Sequence, residues 1–363
     1  MEGGDRSSRE ERGPLVSEPQ PVVGELTSAA VIVVATIEPG GEDAVRAALP
    51  DFGDLADSVG FGYPTDDLSC VTAFGSDAWD RLFGGPKPPE LHPFVPLDGP
   101  RHTAPATPGD LLLHVRAENQ GLCFELAHRL LDRLGPAVTV VDETHGFRYY
   151  DRRDLLGFVD GTANPHGRGA LDAALLGPED PFAGGSYVVV QKYLHDLAAW
   201  NAVSVSEQER VIGRSKLENI EMSDEAKPGD SHIAVNTVIG EDGEEVDIMR
   251  FNMPFGELKS GEFGTYFIAY AASAATTEQM LRAMFLGTAD APRGDRILDF
   301  STALTGGLFF APPAEFLDDP PEPGASAVAR LPSAADAASG GSVPVLSASE
   351  GSLRIGSLKA STS

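Results

Sequence analysis

Three short stretches carry residue types that could do chemistry together. The first is Leu156–Pro165, LGFVDGTANP, where Gly157, Gly161 and Asn164-Pro165 permit tight turns and leave Asp160 between the apolar pair Phe158-Val159 and a glycine. A carboxyl in such apolar company has a raised pKa and can shuttle protons. An Asx-turn residue in an ordinary loop is the plainer reading, because Asp-Gly is a common turn pair. The second is His232 in GDSHIAV, at the mouth of a strand expected over 233–237, where an imidazole could face a cavity and bind a metal through one nitrogen. A lone histidine is equally the mark of a hydrogen-bonded structural residue. The third is Asp247–Gly256, DIMRFNMPFG, in which an extended backbone puts Arg250 and Asn252 on one face. Arg250 among Met, Phe and Pro is hard to explain as a solvated charge, though an edge-strand arginine paired with a surface acid fits the same pattern.

Other chemistries drop out. The eight histidines form no H-x-x-x-H or H-E-x-x-H pair. The two cysteines, Cys70 and Cys123, allow no disulfide framework, no Cys-rich zinc site and no C-x-x-C-H haem attachment, and each reads as a buried small hydrophobe. No G-x-G-x-x-G opens a helix after a strand and no P-loop occurs, so dinucleotide and nucleotide readings fall away.

The elements that must position these residues follow from composition and periodicity. The chain of 363 residues, 42% hydrophobic, has room for two globular domains. Its net charge of −28 opposes binding to nucleic acid or anionic lipid. The longest purely apolar run, Ala29 to Ala35, is far short of the ~20 residues of a membrane span, and no hydrophobic signal region opens the chain, which predicts a cytoplasmic protein. Strands are expected at 29–37, 68–74, 110–117 and 137–143, with helices at 42–49 and 120–134, the latter carrying Leu122, Leu126, Leu130 and Leu134 on one face. After Arg153, strands are expected at 187–192, 233–237, 245–251, 264–271 and 307–311, and helices at 194–201, 207–216, 277–286 and 295–302. This order predicts an α+β fold of two domains, each an antiparallel sheet with helices on one face. Residues 1–22 read as a disordered leader and 317–349, rich in Pro, Ser, Ala and Gly, as a flexible linker.

GFVDGTANP resembles the signature of the dye-decolorising peroxidases, GxxDG followed by T-x-N-P. His232 and Arg250-x-Asn252 match that family's proximal haem ligand and distal Arg/Asn in order and approximate spacing, over residues 24 to 316. RxNMPFG and the short connections resemble the bacterial B-type branch. The resemblance implies two ferredoxin-like domains of the dimeric α+β barrel type, at 23–150 and 151–316. It implies one haem b per chain, held mainly by the second domain. Carried over, His232 is the axial iron ligand, while Asp160, Arg250 and Asn252 line the face where hydrogen peroxide binds. An acid near the C-terminal helix is expected to accept the other ring N–H of His232: Asp295, with Asp299 as the alternative. Ala163 departs from the family, where a glutamate is common, and this predicts weaker peroxide entry or metal oxidation if that glutamate serves them. Dyes, phenolic or lignin-like compounds, or Mn²⁺ are the implied reductants, oxidised at the surface through Tyr149, Tyr150, Tyr193, Trp79 or Trp200. The acidic core favours cations among them. A deferrochelatase-like or chlorite dismutase-like haem-handling protein, and a non-catalytic cargo protein, are the rival readings.

The last residues form a separate signal. After the linker, Leu353, Ile355 and Leu358 reappear with two Gly-Ser-Leu repeats, the second opened by Gly356. A short apolar peptide on a tether is a docking motif. This one closely resembles the cargo-loading peptide that directs proteins into encapsulin nanocompartments, which implies a shell protein as partner for residues 350–363. Several tails on one homo-oligomer would multiply its affinity.

Overall fold

AAVIVVATI over Ala29–Ile37 is small or β-branched throughout, and it forms β1, buried at every position but Thr36. Only a strand with neighbours on both sides and cover on both faces tolerates so continuous an apolar run. The computed structural model describes residues 17–240 and 243–323. Most of the expected leader, most of the expected linker and the whole docking peptide at 350–363 lie outside the described residues.

The strands are β1, β2 (Ser69–Gly75), β3 (Leu97–Asp98), β4 (Thr103–Ala104), β5 (Leu111–Ala117), β6 (Val138–Phe147), β7 (Ser186–His195), β8 (Met249–Arg250), β9 (Met253–Glu257), β10 (Glu262–Ala271), β11 (Ser301–Ala303) and β12 (Gly307–Ala311). The helices are α1 (Glu42–Ala48), α2 (Asp51–Gly60), α3 (Ser76–Leu82), α4 (Gln120–Leu134), α5 (Arg168–Ala174), α6 (Leu197–Ala202), α7 (Val205–Ile212), α8 (His232–Asn236), α9 (Ala274–Leu286) and α10 (Ala314–Asp318). Two separate sheets were the expectation. Instead, ten strands form one antiparallel sheet ordered β6-β1-β5-β2-β12-β7-β10-β8, with β11 on β7 and β9 on β10. The halves join where Phe309 and Phe310 of β12 pair with Gly75 and Phe74 of β2.

The two-residue alternation of the strands gives each half two faces. Val31 and Val33 of β1 pack with the α4 leucines Leu122, Leu126 and Leu130 in one core. Ile32 and Val34, pointing the other way, pack with Val188, Phe251 and Tyr270 of the opposite half in a second. The two sheet halves therefore face each other, and no closed barrel forms. The stripe read from the sequence is the buried face of α4, whose first turn is capped by Asn119 Oδ1 accepting from the Gly121 N–H at 2.9 Å.

Three sequence expectations need correction, all around the chemistry. The strand over 233–237 is the helix α8. Ile233, Val235 and Thr237 have strand composition, but β10 is already paired on one side by β7 and on the other by β8 and β9, so it has no edge left to offer them. The strand over 245–251 shrinks to Met249–Arg250. The helix over 295–302 is a single 3₁₀ turn, Arg296–Asp299, followed by β11, because pairing with β7 claims Ser301–Ala303.

Candidate active site

His232 opens α8, and its ring is held from behind. Its Nδ1–H donates to Asp295 Oδ2 at 2.7 Å, and the Asp295 side chain is wholly buried. Gly294 delivers that carboxylate. It sits at φ +80°, where a Cβ would collide with the Met284 carbonyl of α9, and the next N–H, that of Asp295, bonds the same carbonyl at 2.8 Å. Asp295 Oδ1 accepts from Ile297 N–H at 2.9 Å and so caps the 3₁₀ turn. One turn along α8, Asn236 Nδ2 donates to the His232 carbonyl at 2.8 Å and to Asp295 Oδ2 at 3.2 Å. Asp299, the alternative partner, instead binds Arg101 at 2.8 Å and His102 at 3.0 Å. With Nδ1 engaged, Nε2 is the nitrogen free to ligate, and the 36% of the side chain left exposed borders a cavity. Burial pulls the imidazole pKa down, but the charge and hydrogen bond of Asp295 outweigh it, so the net shift is upward.

Asp160, Arg250 and Asn252 line that same cavity. Gly161, at φ +75°, turns the Asp160 loop where a Cβ would meet the Leu26 side chain. Asp160 Oδ1 accepts from the Gly161 N–H at 2.7 Å and from Asn252 Nδ2 at 3.5 Å, leaving Oδ2 to take a proton. Burial raises the Asp160 pKa, with Gly161, Asn252 and Arg250 pulling it part of the way back. Asn164 joins the first sequence stretch to the third, since Arg250 N–H donates to Asn164 Oδ1 at 3.0 Å and Asn164 Nδ2 to the Arg250 carbonyl at 2.7 Å. The pair of bonds mimics a strand partner. Among the described residues the hydrogen-bond partner of the Arg250 guanidinium is Met280 Sδ at 3.7 Å, with the charge of Asp160 nearby, and Asn252 Oδ1 is buried with no partner. A cation beside an unpaired acceptor and a carboxylate of raised pKa is a site for a small protic oxidant.

The comparisons with known proteins decide the family. Residues 19–148 match the family model described as Dyp-type peroxidase, N-terminal, and residues 151–316 the one described as Dyp-type peroxidase, C-terminal. The chain belongs to the Dyp-type peroxidases. A dye-decolorizing peroxidase of Mycobacterium tuberculosis is 58% identical over 349 residues, covering 96% of this chain and 98% of the relative. The cryo-EM structure of the encapsulated DyP-type peroxidase from Mycobacterium smegmatis is 59% identical with a TM-score of 0.83, over 84% of this chain and 99% of that one. DyPB from Rhodococcus jostii is 52% identical with a TM-score of 0.81, over 83% of this chain and 97% of that one. Variants of that protein have been solved in complex with heme and with manganese.

Asn236 of this peroxidase's cavity carries no signal in the sequence, because it acts through hydrogen bonds to His232 and Asp295 and a lone asparagine is indistinguishable from a surface one. Asn164 stands in the T-x-N-P motif, but its bonds to the Arg250 backbone are visible only in the fold. Ala163 borders the cavity, where its methyl offers no donor or acceptor. The candidate electron relays separate by place. Trp79 and Trp200 are core residues, Tyr193 lines the cavity, and Tyr149 packs at a tilt of 44° against Tyr150, which is exposed, at 4.3 Å between ring centroids.

Asp154 is a second carboxyl at the cavity, its pKa pushed up to about 7 chiefly by burial. The unfolded chain releases that proton near the ordinary aspartate value of about 3.9. Between the two values the folded state holds a proton that the unfolded state has lost, so stability falls as pH rises through this window. Asp154→Asn keeps an acceptor for the Phe158 N–H, now 2.9 Å from Oδ1, and removes the titration. The melting temperature of the haem-free variant should therefore gain on wild type steadily from pH 4 to pH 7. Parallel curves in a pH series of thermal melts would show that Asp154 does not titrate there.

Proposed function

We propose that the chain is a haem b peroxidase that uses hydrogen peroxide to oxidise dyes, phenolic compounds or Mn²⁺, and that it works inside an encapsulin shell in the cytoplasm. One observation carries the reading. An imidazole whose Nδ1 is fixed by a buried carboxylate opens, through Nε2, on the same cavity as an arginine, an asparagine with an unpaired acceptor and an aspartate of raised pKa.

The donor set fits haem. His232 Nε2 would ligate iron, and Asp295, by accepting from Nδ1, strengthens the imidazole as a donor. The apolar side chains of Ile212, Phe267, Met280, Leu281 and Met284 suit the faces and edges of a macrocycle. All the residues lining the cavity belong to 151–316, which supports reading that half as the haem-binding ferredoxin-like domain and 23–150 as its partner. When bound, the haem supplies the electrons that cleave the peroxide bond. Asp160 Oδ2 accepts the first peroxide proton and returns it to the departing oxygen. Arg250, charged at every working pH, holds the anion formed in between. Asn252 orients Asp160 through Nδ2 and offers Oδ1 to a peroxide or water proton.

The natural reductant is read from charge: a net charge of −28 concentrates cations such as Mn²⁺ and repels anionic dyes. Among the described residues no helix is long and apolar enough to cross a membrane. The tail motif and the encapsulated state of the Mycobacterium smegmatis relative support packaging, with a homo-oligomer presenting several tails. Leu353, Ile355 and Leu358, at ~1.5–3 kcal/mol for each aliphatic side chain buried, should supply most of the docking energy. Purified full-length protein is expected to show a Soret band and peroxide-dependent oxidation of a dye. Truncation after Ser349 should leave both unchanged and abolish loading when the chain is co-expressed with a shell protein. Purified protein without a Soret band would remove the haem reading, and equal haem in shells made with truncated and full-length chain would remove the packaging reading.

A further inference from the structure

Arg116 on β5 is a buried cation with no carboxylate partner among the described residues. It is 4% exposed; its Nε donates to Ser69 Oγ at 3.1 Å, its Nη2 to the Pro21 carbonyl, and its Nη1 has no partner among the described residues. What meets the guanidinium is the face of Phe251, whose ring centroid lies 3.9 Å from its central carbon. His114 and Tyr270, joined by a 2.8 Å hydrogen bond, set their rings edge-on to the same phenyl at 6.0 and 5.8 Å.

Phe251 stands between Arg250 and Asn252. The alternation of extended backbone sends its ring into the space between the sheet halves, while its two neighbours line the cavity. The ladder on β10 lapses at this point. β8 ends at Arg250, β9 begins at Met253, and the Phe251 N–H bond to the Ile268 carbonyl at 3.0 Å is the backbone tie between them. Side-chain packing must hold what the ladder leaves loose.

We propose that Arg116 is a positioning residue for peroxide activation: through its cation–π contact with Phe251, the N-terminal half of the chain fixes where Arg250 and Asn252 stand. The inference rests on reading those two residues as the peroxide-activating groups. A desolvated guanidinium on a ring face lies at the strong end of cation–π contacts. Positioning groups of this kind matter because a shift of ~1 Å at reacting atoms can cost ~10²-fold in rate.

The test uses haem-loaded protein, with rates expressed per bound haem, cyanide affinity read from the absorbance spectrum, and thermal melts as a check of folding. Arg116→Met and Phe251→Leu should each slow the reaction with peroxide by roughly 10-fold and weaken cyanide binding, and the double variant should be no slower than the slower single, as for two residues acting through one contact. Arg116→Lys, which keeps a cation over the ring, should recover most of the loss. Arg116→Met and Phe251→Leu that react with peroxide and bind cyanide as wild type does, with only lower melting temperatures, would overturn the inference, provided Arg250→Leu is slow. Arg116→Lys as impaired as Arg116→Met would overturn it too. Arg250→Leu at wild-type speed would overturn the reading of Arg250 and this inference with it. Should Arg116→Met not fold, Phe251→Leu carries the same outcomes.

Discussion

His232→Ala should give a folded protein that purifies with far less than one haem per chain. Among the described cavity side chains, the imidazole is the one with a ring nitrogen facing the cavity and a buried acceptor fixing its orientation, and its loss leaves Asp295 with Asn236 and Ile297 as its described donors. Weakening the outer partner alone, in Asp295→Asn, should cost ~10–100-fold in haem affinity, the usual effect of removing a group that orients a metal ligand. Removal of the ligand itself should cost more. Helix α8 is short and exposes part of this side chain to the cavity, so the alanine creates no void in a packed core and the fold should survive. Added imidazole, small enough to enter the vacated space, should restore part of the Soret absorbance. A His232→Ala protein with unchanged Soret intensity and iron ligation would remove His232 from the site.

Arg250→Leu is expected to retain haem yet react with peroxide ~10²–10³-fold more slowly, as when one preorganised donor to a developing anion is lost. The size follows from the surroundings. The guanidinium is partly buried, and its direct side-chain partner is the weak acceptor Met280 Sδ, so its charge is available to the peroxide anion. Asp160→Ala should cost less, because Asn252 Oδ1 can hold a water that relays the proton. The two variants also separate by pH. Asp160 accepts a proton only when ionised, so the wild-type rate should climb with pH through its raised pKa. That limb should vanish in Asp160→Ala and persist in Arg250→Leu. Stopped-flow mixing with peroxide over a pH series measures both effects, and an Arg250→Leu protein as fast as wild type would take that residue out of the mechanism.

Two of the candidate site residues stand out in the sequence because each breaks a local rule. An arginine amid Met, Phe and Pro, and an aspartate flanked by apolar residues and glycine, are unfavourable unless a cavity uses them. The fold was legible where burial is continuous or strictly periodic: β1, β5, α4 and β12 lie within a residue or so of where pattern alone puts them. The pattern is least informative nearest the site. Residues 232–237 have strand composition but form a helix, and 295–302 have helical composition but divide between a 3₁₀ turn and a strand. In both places strand pairing decided, with β10 already paired on both sides and β7 claiming Ser301–Ala303, and pairing depends on residues far away in the chain.

From its own residue types, the sequence offers the groups that the cavity brings together, among them the His232 imidazole, the Asp160 carboxyl, the Arg250 guanidinium and the Asn252 amide, on an α+β chain of strong negative charge. Which carboxylate faces which nitrogen is a tertiary result. Asp295 and Asp299 are one turn apart and chemically identical, and only the bend at Gly294 against Met284, which places Asp295 beneath His232 and leaves Asp299 to Arg101 and His102, distinguishes them. The merging of the two expected sheets has the same origin. β2 and β12 each have the composition of an inner strand, and pairing them satisfies two rows of backbone groups at once, which no reading of either strand by itself could reveal.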